Sequence, residues 1–325
     1  MIGEEKMKKI GLIIPYFGVL PNYFSLWLKS AAYNNSIDYL LFTDCDLSIY
    51  DIPPNVISIY MTFREVKQRV ARFISFPFVL DTPYKLCDYR PIYGLIFEDY
   101  LKEYDYWGHC DPDVIWGDLS DYIKDELFEK YDRLYRRGHL CIYKNNQLIN
   151  YAPLKKLNGS KISYEDIYKH RYSAHYDEGV LLEELIRQQG GKQWDEDDFA
   201  DVSYFYKQFI LVKHNKLCEN VAAFRWKEGK IIGLGINGDL EKEKEYSYVH
   251  LQKRKMKYKD GFLGDDFLIT PNEFIPYSEE WNKWAIEWQQ NDAEFEKRAK
   301  INNFKNQIKN IKDGALIFRM KGYLV

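Results

Sequence analysis

Two carboxylates, Asp111 and Asp113, stand two positions apart in Tyr-Asp-Tyr-Trp-Gly-His-Cys-Asp-Pro-Asp-Val-Ile-Trp-Gly, just after an apolar segment. Tyr106, Trp107 and Cys110 are strand-type residues, so a short buried strand is expected up to Asp111. Pro112 cannot donate to a sheet ladder and marks its end. An Asp-x-Asp triplet on one side of such a turn offers oxygen ligands to a hard divalent cation, Mg2+ or Mn2+, which can in turn bridge a diphosphate. The competing reading is a local one, in which Asp111 caps the turn and Asp113 is solvated.

Other residue clusters bear on the same chemistry. Lys85, Asp88 and Arg90 gather at the start of a segment expected to be helical from Pro83 to about Leu101. They read either as helix-end charges or as a phosphate-binding pair, Lys85 and Arg90, with Asp88 on a sugar hydroxyl. Asp177 and Glu178 precede a helix expected over Val180–Gln188. Carboxylates there stabilise a helix N-terminus, and one of them is equally a candidate general base. His250 lies in a short apolar run followed by Lys253, Arg254 and Lys255, a basic cluster able to neutralise a departing diphosphate. The acidic run Asp195, Glu196, Asp197, Asp198 and Asp201 lacks the spacing of a calcium loop and is expected to be a solvated loop.

The elements that must position these groups are those of an α/β domain. Ile10–Pro15 reads as a central strand, Asn22–Asn34 as a helix, Ile37–Thr43 as a second strand ending at Asp44 and Val56–Tyr60 as a third. Strand, helix, strand units build parallel sheets that bind ligands beyond the carboxyl ends of their strands. Pro15, Thr43, Asp44, Asp111 and Asp113 all fall at such ends. Thr62–Phe76 is expected to be a helix, Leu119–Leu134 one or two acidic surface helices, Leu140–Tyr143 a strand and Tyr151–Ser163 a loop. Ser203–Val212 reads as a strand, and Ala222–Trp226 with Lys230–Leu234 as a hairpin around Glu228-Gly229.

Composition bounds the function. With 46% apolar and 17% aromatic residues in 325, the chain can build a sizeable core. A formal net charge of −3 argues against nucleic acid as a partner. Five isolated cysteines indicate neither a zinc site nor a disulfide framework and fit a reducing cytoplasm. The apolar run Ile10–Leu20 is interrupted by Pro15 and too short to span a bilayer, so it is not taken as a signal peptide.

The string Lys85-Leu86-Cys87-Asp88-Tyr89-Arg90-Pro91, followed by Trp107-Gly108-His109-Cys110-Asp111-Pro112-Asp113, resembles the central region of GT-A type nucleotide-sugar glycosyltransferases of bacterial capsule and lipopolysaccharide synthesis. Phe42-Thr43-Asp44 and the first strand extend the likeness loosely over residues 8 to 255, with only the Asp-x-Asp region specific. The resemblance implies a GT-A-like α/β fold with a mostly parallel sheet and helices on both faces. It implies that Asp111 and Asp113 hold Mn2+ or Mg2+ against the donor diphosphate, that Asp111 also touches the ribose, that Thr43 and Asp44 lie near the nucleoside, and that His250 supplies a third ligand. A base at Asp177 or Glu178 follows if the enzyme inverts. The implied activity is transfer from a nucleotide sugar, a UDP-sugar first among them, to a saccharide or lipid-linked saccharide. A metal-dependent nucleotidyltransferase or phosphohydrolase, and a non-catalytic carbohydrate-binding protein, are the other readings.

The expected organisation is a catalytic domain over residues 8–275, divided into a nucleotide-sugar half (8–119) and an acceptor half (120–275), followed by a helical extension over 276–325. In that extension Ile301, Phe304, Ile308 and Ile311 form an apolar stripe among lysines. It suits either a peripheral contact with an anionic membrane, at the inner face of the cytoplasmic membrane, or packing on the body or on a second subunit in a homo-oligomer.

Overall fold

The structure is a computed structural model, and it describes residues 8–213, 216–235, 244–252, 254–258 and 264–321. Its main sheet has seven strands in the spatial order Val56–Tyr60, Ile37–Thr43, Ile10–Tyr16, Tyr106–Cys110, Leu140–Lys144, Arg133–Arg137, Gln193–Trp194. The first four run parallel, while Leu140–Lys144 is antiparallel to both of its neighbours. The chain winds outward from Ile10–Tyr16 in one direction and then returns to its other side with Tyr106–Cys110. The strand order therefore reverses between these two, which is where open α/β sheets form their ligand crevice.

Period-two alternation distributes the strand side chains onto two cores. Ile13, Leu40, Phe42, Trp107, Cys141 and Tyr143 face one, closed by the helices Phe63–Val70 and Val180–Gln188. Leu12, Ile14, Tyr39, Leu41, Leu140 and Ile142 face the other, closed by the helix Phe24–Ala31. Helices thus cover both faces, as expected of a near-continuously apolar parallel sheet.

Three smaller sheets complete the body among the described residues, one of them the two-stranded antiparallel pair Phe209–Lys213 and Lys216–Val221. Ala223–Lys227 and Lys230–Leu234 form the expected hairpin, with Glu228 and Gly229 both at positive φ in a two-residue turn. It belongs to a five-stranded antiparallel sheet with Lys244–Glu245, Asp266–Ile269 and Phe274–Pro276. The third small sheet joins three short strands from distant parts of the chain: Val114–Trp116, Tyr248–His250 and Ala200–Asp201.

Several expectations are corrected. Pro83–Leu101 is not one helix but a 3-10 stretch Pro83–Ile92, one α-turn Tyr93–Ile96 and a second 3-10 turn Glu98–Tyr100. Pro91 stands inside it, and proline lacks the N–H that an α-helix would need there. Phe63–Val70 is shorter than the helix expected to reach Phe76, and Thr62 caps it in a capping box with Glu65. Leu119–Leu134 resolves into a 3-10 turn, the helix Asp125–Lys130 and the start of the strand Arg133–Arg137. Of Ser203–Val212 only Phe209 onward is strand. After residue 276 the described residues carry the helices Asn282–Trp288, Ala293–Lys312 and Ala315–Met320.

Candidate metal and nucleotide site

Asp111 follows the strand Tyr106–Cys110, and Asp113 precedes Val114–Trp116, so the Asp-x-Asp turn links the main sheet to the three-stranded one. Register does the rest. His250 pairs with Val114 on one side and with Asp201 on the other, and the Leu251 N–H donates to the Asp113 carbonyl at 3.0 Å. These pairings draw His250 to the turn from well over a hundred residues away. Candidate ligand atoms of Asp111, Asp113 and His250 all lie within 4.8 Å of one another. Two carboxylates and one imidazole at that spacing fit Mn2+ or Mg2+, whose preferences are mainly for oxygen.

The side chain of His250 is held from both ends. Nδ1 lies 2.7 Å from Asp201 Oδ1, and Nε2 lies 3.6 Å from Asp113 Oδ1. Burial opposes charge on both partners, but His250 pulls Asp201 down to about 2, so Asp201 is an ionised acceptor and Nδ1 must donate. Burial would depress His250, yet Asp201 and then Asp113 outweigh it and hold the imidazole well above its ordinary range. The Nε2 proton and a divalent cation are therefore alternative partners for Asp113. Gln252 also donates to Asp201 at 2.7 Å, from a residue with φ of 47°. His139 packs against His250 with ring centres 4.3 Å apart and planes tilted by 31°. Burial and then His250 keep His139 well below the ordinary histidine range, so it faces His250 as a neutral ring.

On the other side of the turn Arg90 bridges two carboxylates. One guanidinium nitrogen pairs with Asp111 and the other donates to Asp177 Oδ2 at 2.9 Å. Burial disfavours its charge, but Asp111 and Asp177 raise Arg90 well above the usual range. Arg133 adds a hydrogen bond of 2.5 Å to the Asp177 carbonyl. Glu178 accepts from the Gly138 N–H at 2.6 Å and remains 37% exposed. A Cβ at Gly138 would stand 2.5 Å from Glu178 Oε1 and 2.7 Å from Arg90 Nη1, so only glycine lets these groups converge.

The structure thus separates residues that looked alike in sequence. Asp177 is 1% exposed and committed to Arg90, which rules it out as an accessible base; burial raises its pKa and Arg90 only partly offsets this. Glu178 is the carboxylate that reaches solvent. Lys85 and Asp88 are also corrected. Lys85 Nζ bonds Asp88 at 2.6 Å and the carbonyls of Ile167 and Tyr172, while Asp88 accepts from the N–H groups of Ala174 and Tyr176. An ammonium has three donors, and all three are spent in the interior, where Lys85 is 2% and Asp88 0% exposed. Arg90 keeps its place at the site, but as a bracket for Asp111.

Thr43 and Asp44 end the strand next to Ile10–Tyr16, along the same sheet edge as the turn. Thr43 is buried and its Oγ1 accepts from the Cys45 N–H at 3.1 Å, whereas Asp44 is exposed. Arg254, expected to meet diphosphate, is buried and donates to four carbonyls, those of Ser203, Tyr206, Lys207 and Pro271. It clamps the 203–208 loop. Lys253 lies outside the described residues, and Lys255 is exposed.

Asp201, His139 and Arg133 were missed by sequence reasoning. Asp201 sits in the acidic run that read as a wet loop, yet Asp198 from the same run accepts from Tyr135 and Ser247, and Asp195 pairs with Arg137. No local pattern marks these residues, because their partners lie far away in the chain.

A protein-family model described as a family of unknown function, DUF6625, matches residues 12–278. The chain belongs to the DUF6625 family. No curated protein matches it. The match takes in both sides of the candidate site, from within the first strand through His250, and ends ahead of the terminal helices.

Proposed function

We propose that this DUF6625 protein is a metal-dependent glycosyltransferase that moves a sugar from a nucleotide-sugar donor to a saccharide or lipid-linked saccharide in bacterial surface polysaccharide synthesis. The observation that carries the reading is the convergence of Asp111, Asp113 and His250 at the strand-order reversal of an α/β sheet. These three residues would hold Mn2+ or Mg2+, which when bound supplies positive charge to the leaving nucleoside diphosphate.

The chain's own residues have separate tasks. Arg90 pairs with Asp111 and aims it, while Asp177 fixes Arg90 from behind. Asp201 fixes the ring of His250, as carboxylate partners of metal-bound histidines do. Asp44, exposed at the neighbouring strand end, would contact the nucleoside. Glu178 is the carboxylate able to take the proton of an acceptor hydroxyl if the reaction inverts.

Incubating the protein with Mn2+ and a panel of nucleotide sugars, UDP-sugars first, tests the reading. Metal-dependent release of nucleoside diphosphate is expected. Release of pyrophosphate or inorganic phosphate instead would point to a nucleotidyltransferase or phosphohydrolase. Carbohydrate binding without turnover of any donor would overturn the enzymatic reading.

A further inference from the structure

The helix Ala293–Lys312 contains no buried residue over its 20 positions. Ile301, Phe304, Ile308 and Ile311 follow one another at helical spacing, and they are 45, 62, 42 and 46% exposed. At about 100° per residue they occupy one arc of roughly 80°. Lys305 and Lys312 lie on one margin of that arc, Lys300 lies on the other, and Lys297 stands one turn ahead of Ile301 on the same face. The helix carries six basic residues against two acidic ones, in a chain whose net charge is −3.

This apolar face cannot turn inward, because the helix is tied to the body at both ends. Near its start, Phe295 packs under the Arg254 guanidinium at 5.9 Å. Past its end, the Asp313 carbonyl accepts from the Tyr172 N–H at 2.9 Å, and the short helix that follows plugs Phe318, 1% exposed, against His170 and Tyr172. Lys321 adds a 2.6 Å bond to Asp166. With the rotation fixed, the stripe faces solvent, and Leu316, Ile317 and Met320 extend the exposed apolar surface.

We infer that the outward face of Ala293–Lys312, continued by Ala315–Met320, docks on the surface of an anionic lipid bilayer. An apolar stripe between basic margins buries its side chains at the acyl boundary while its lysines meet lipid phosphates. Two copies of the helix would instead bring like charges together. The segment that anchors the helix at Tyr172 runs on to Asp177 and Glu178 within six residues, on the acceptor side of the proposed site. The docking itself does not depend on that activity.

Co-sedimentation of the full chain with vesicles tests it. Binding is expected to vesicles containing phosphatidylglycerol at low salt, not to phosphatidylcholine alone, and high salt should release the protein. Phe304→Asp with Ile308→Asp should lower partitioning by about 100-fold or more, given the apolar area withdrawn. Lys305→Glu with Lys309→Glu should do the same at low salt. All four side chains are exposed, so melting temperatures should stay at the parent value and a loss of binding would not reflect misfolding. The inference is overturned if the full chain ignores anionic vesicles at low salt, if it binds them and these variants bind equally well, or if the parent sediments as a dimer that the Phe304→Asp, Ile308→Asp variant dissociates.

Discussion

Asp113 and Asp201 reach the same imidazole from opposite ends, and their removal should have distinguishable effects. Asp113→Asn takes a charge and a ligand oxygen from the site, so Mn2+ affinity measured by calorimetry should fall at least tenfold, with coupled loss of nucleoside diphosphate binding. Unchanged affinity would remove the Asp-x-Asp turn from any metal role. Asp201→Asn leaves the ligands in place but frees the ring of His250; loss of such outer partners costs about 10 to 100-fold in metal affinity. The carboxylates beside Arg90 divide in a similar way. Glu178→Gln should lower turnover by roughly two to four orders of magnitude while sparing donor affinity, if it is the general base. Asp177→Asn should act mainly on stability. It leaves the partly buried Arg90 with one carboxylate instead of two, at a cost of roughly 2 kcal/mol in chemical denaturation, below the ~3–5 kcal/mol of a fully orphaned buried charge. If Asp177→Asn folds with parent stability and only turnover collapses, the roles given to the two residues are reversed.

At the scale of elements, the 3-10 stretch Pro83–Ile92 works as a frame for Arg90. Its geometry is poor in internal hydrogen bonds, and the deficit is met by the Lys85–Asp88 pair, which ties it to the segment 167–176. Lys85→Met should therefore destabilise the fold by roughly 3 kcal/mol, since it leaves the Asp88 charge buried with only backbone donors. Retained stability would show that the pair is dispensable and reopen a ligand-binding role for Lys85. The three-stranded sheet is the second framing element. Each of its strands has three residues or fewer, too short to persist alone, and Val249, Tyr248 and Trp116 in the core keep them in register.

For the whole molecule, ligand binding and stability are linked. On the proposed function, a metal and nucleotide between the main sheet and the three-stranded one would bind only the folded chain, so Mn2+ with a nucleoside diphosphate at about 100 times Kd should add close to 3 kcal/mol. The corresponding rise of a few degrees in melting temperature should vanish with EDTA and be absent in Asp113→Asn; a rise that survives chelation would place the nucleotide elsewhere. Among the described residues no helix is long and apolar enough to cross a membrane. Contact with a bilayer would then rest on the outward-facing terminal helix, outside the matched family region of residues 12–278.

Local pattern alone determined much of this protein. The strands Ile37–Thr43 and Val56–Tyr60, the helix Val180–Gln188 and the Glu228-Gly229 hairpin follow from short-range periodicity and turn chemistry, which neighbouring residues encode by themselves. The Asp-x-Asp turn was legible for the same reason, since proline and the strand before it are adjacent in the chain. What only the tertiary structure decided were the choices between like residues. Burial separated Asp177 from Glu178 and took Lys85, Asp88 and Arg254 into the interior, because desolvation depends on what packs around a charge and not on its neighbours in sequence. Sheet register brought Asp201 to His250 across 49 residues and His250 to Asp113 across more than a hundred, and pairing between distant strands leaves no local signature.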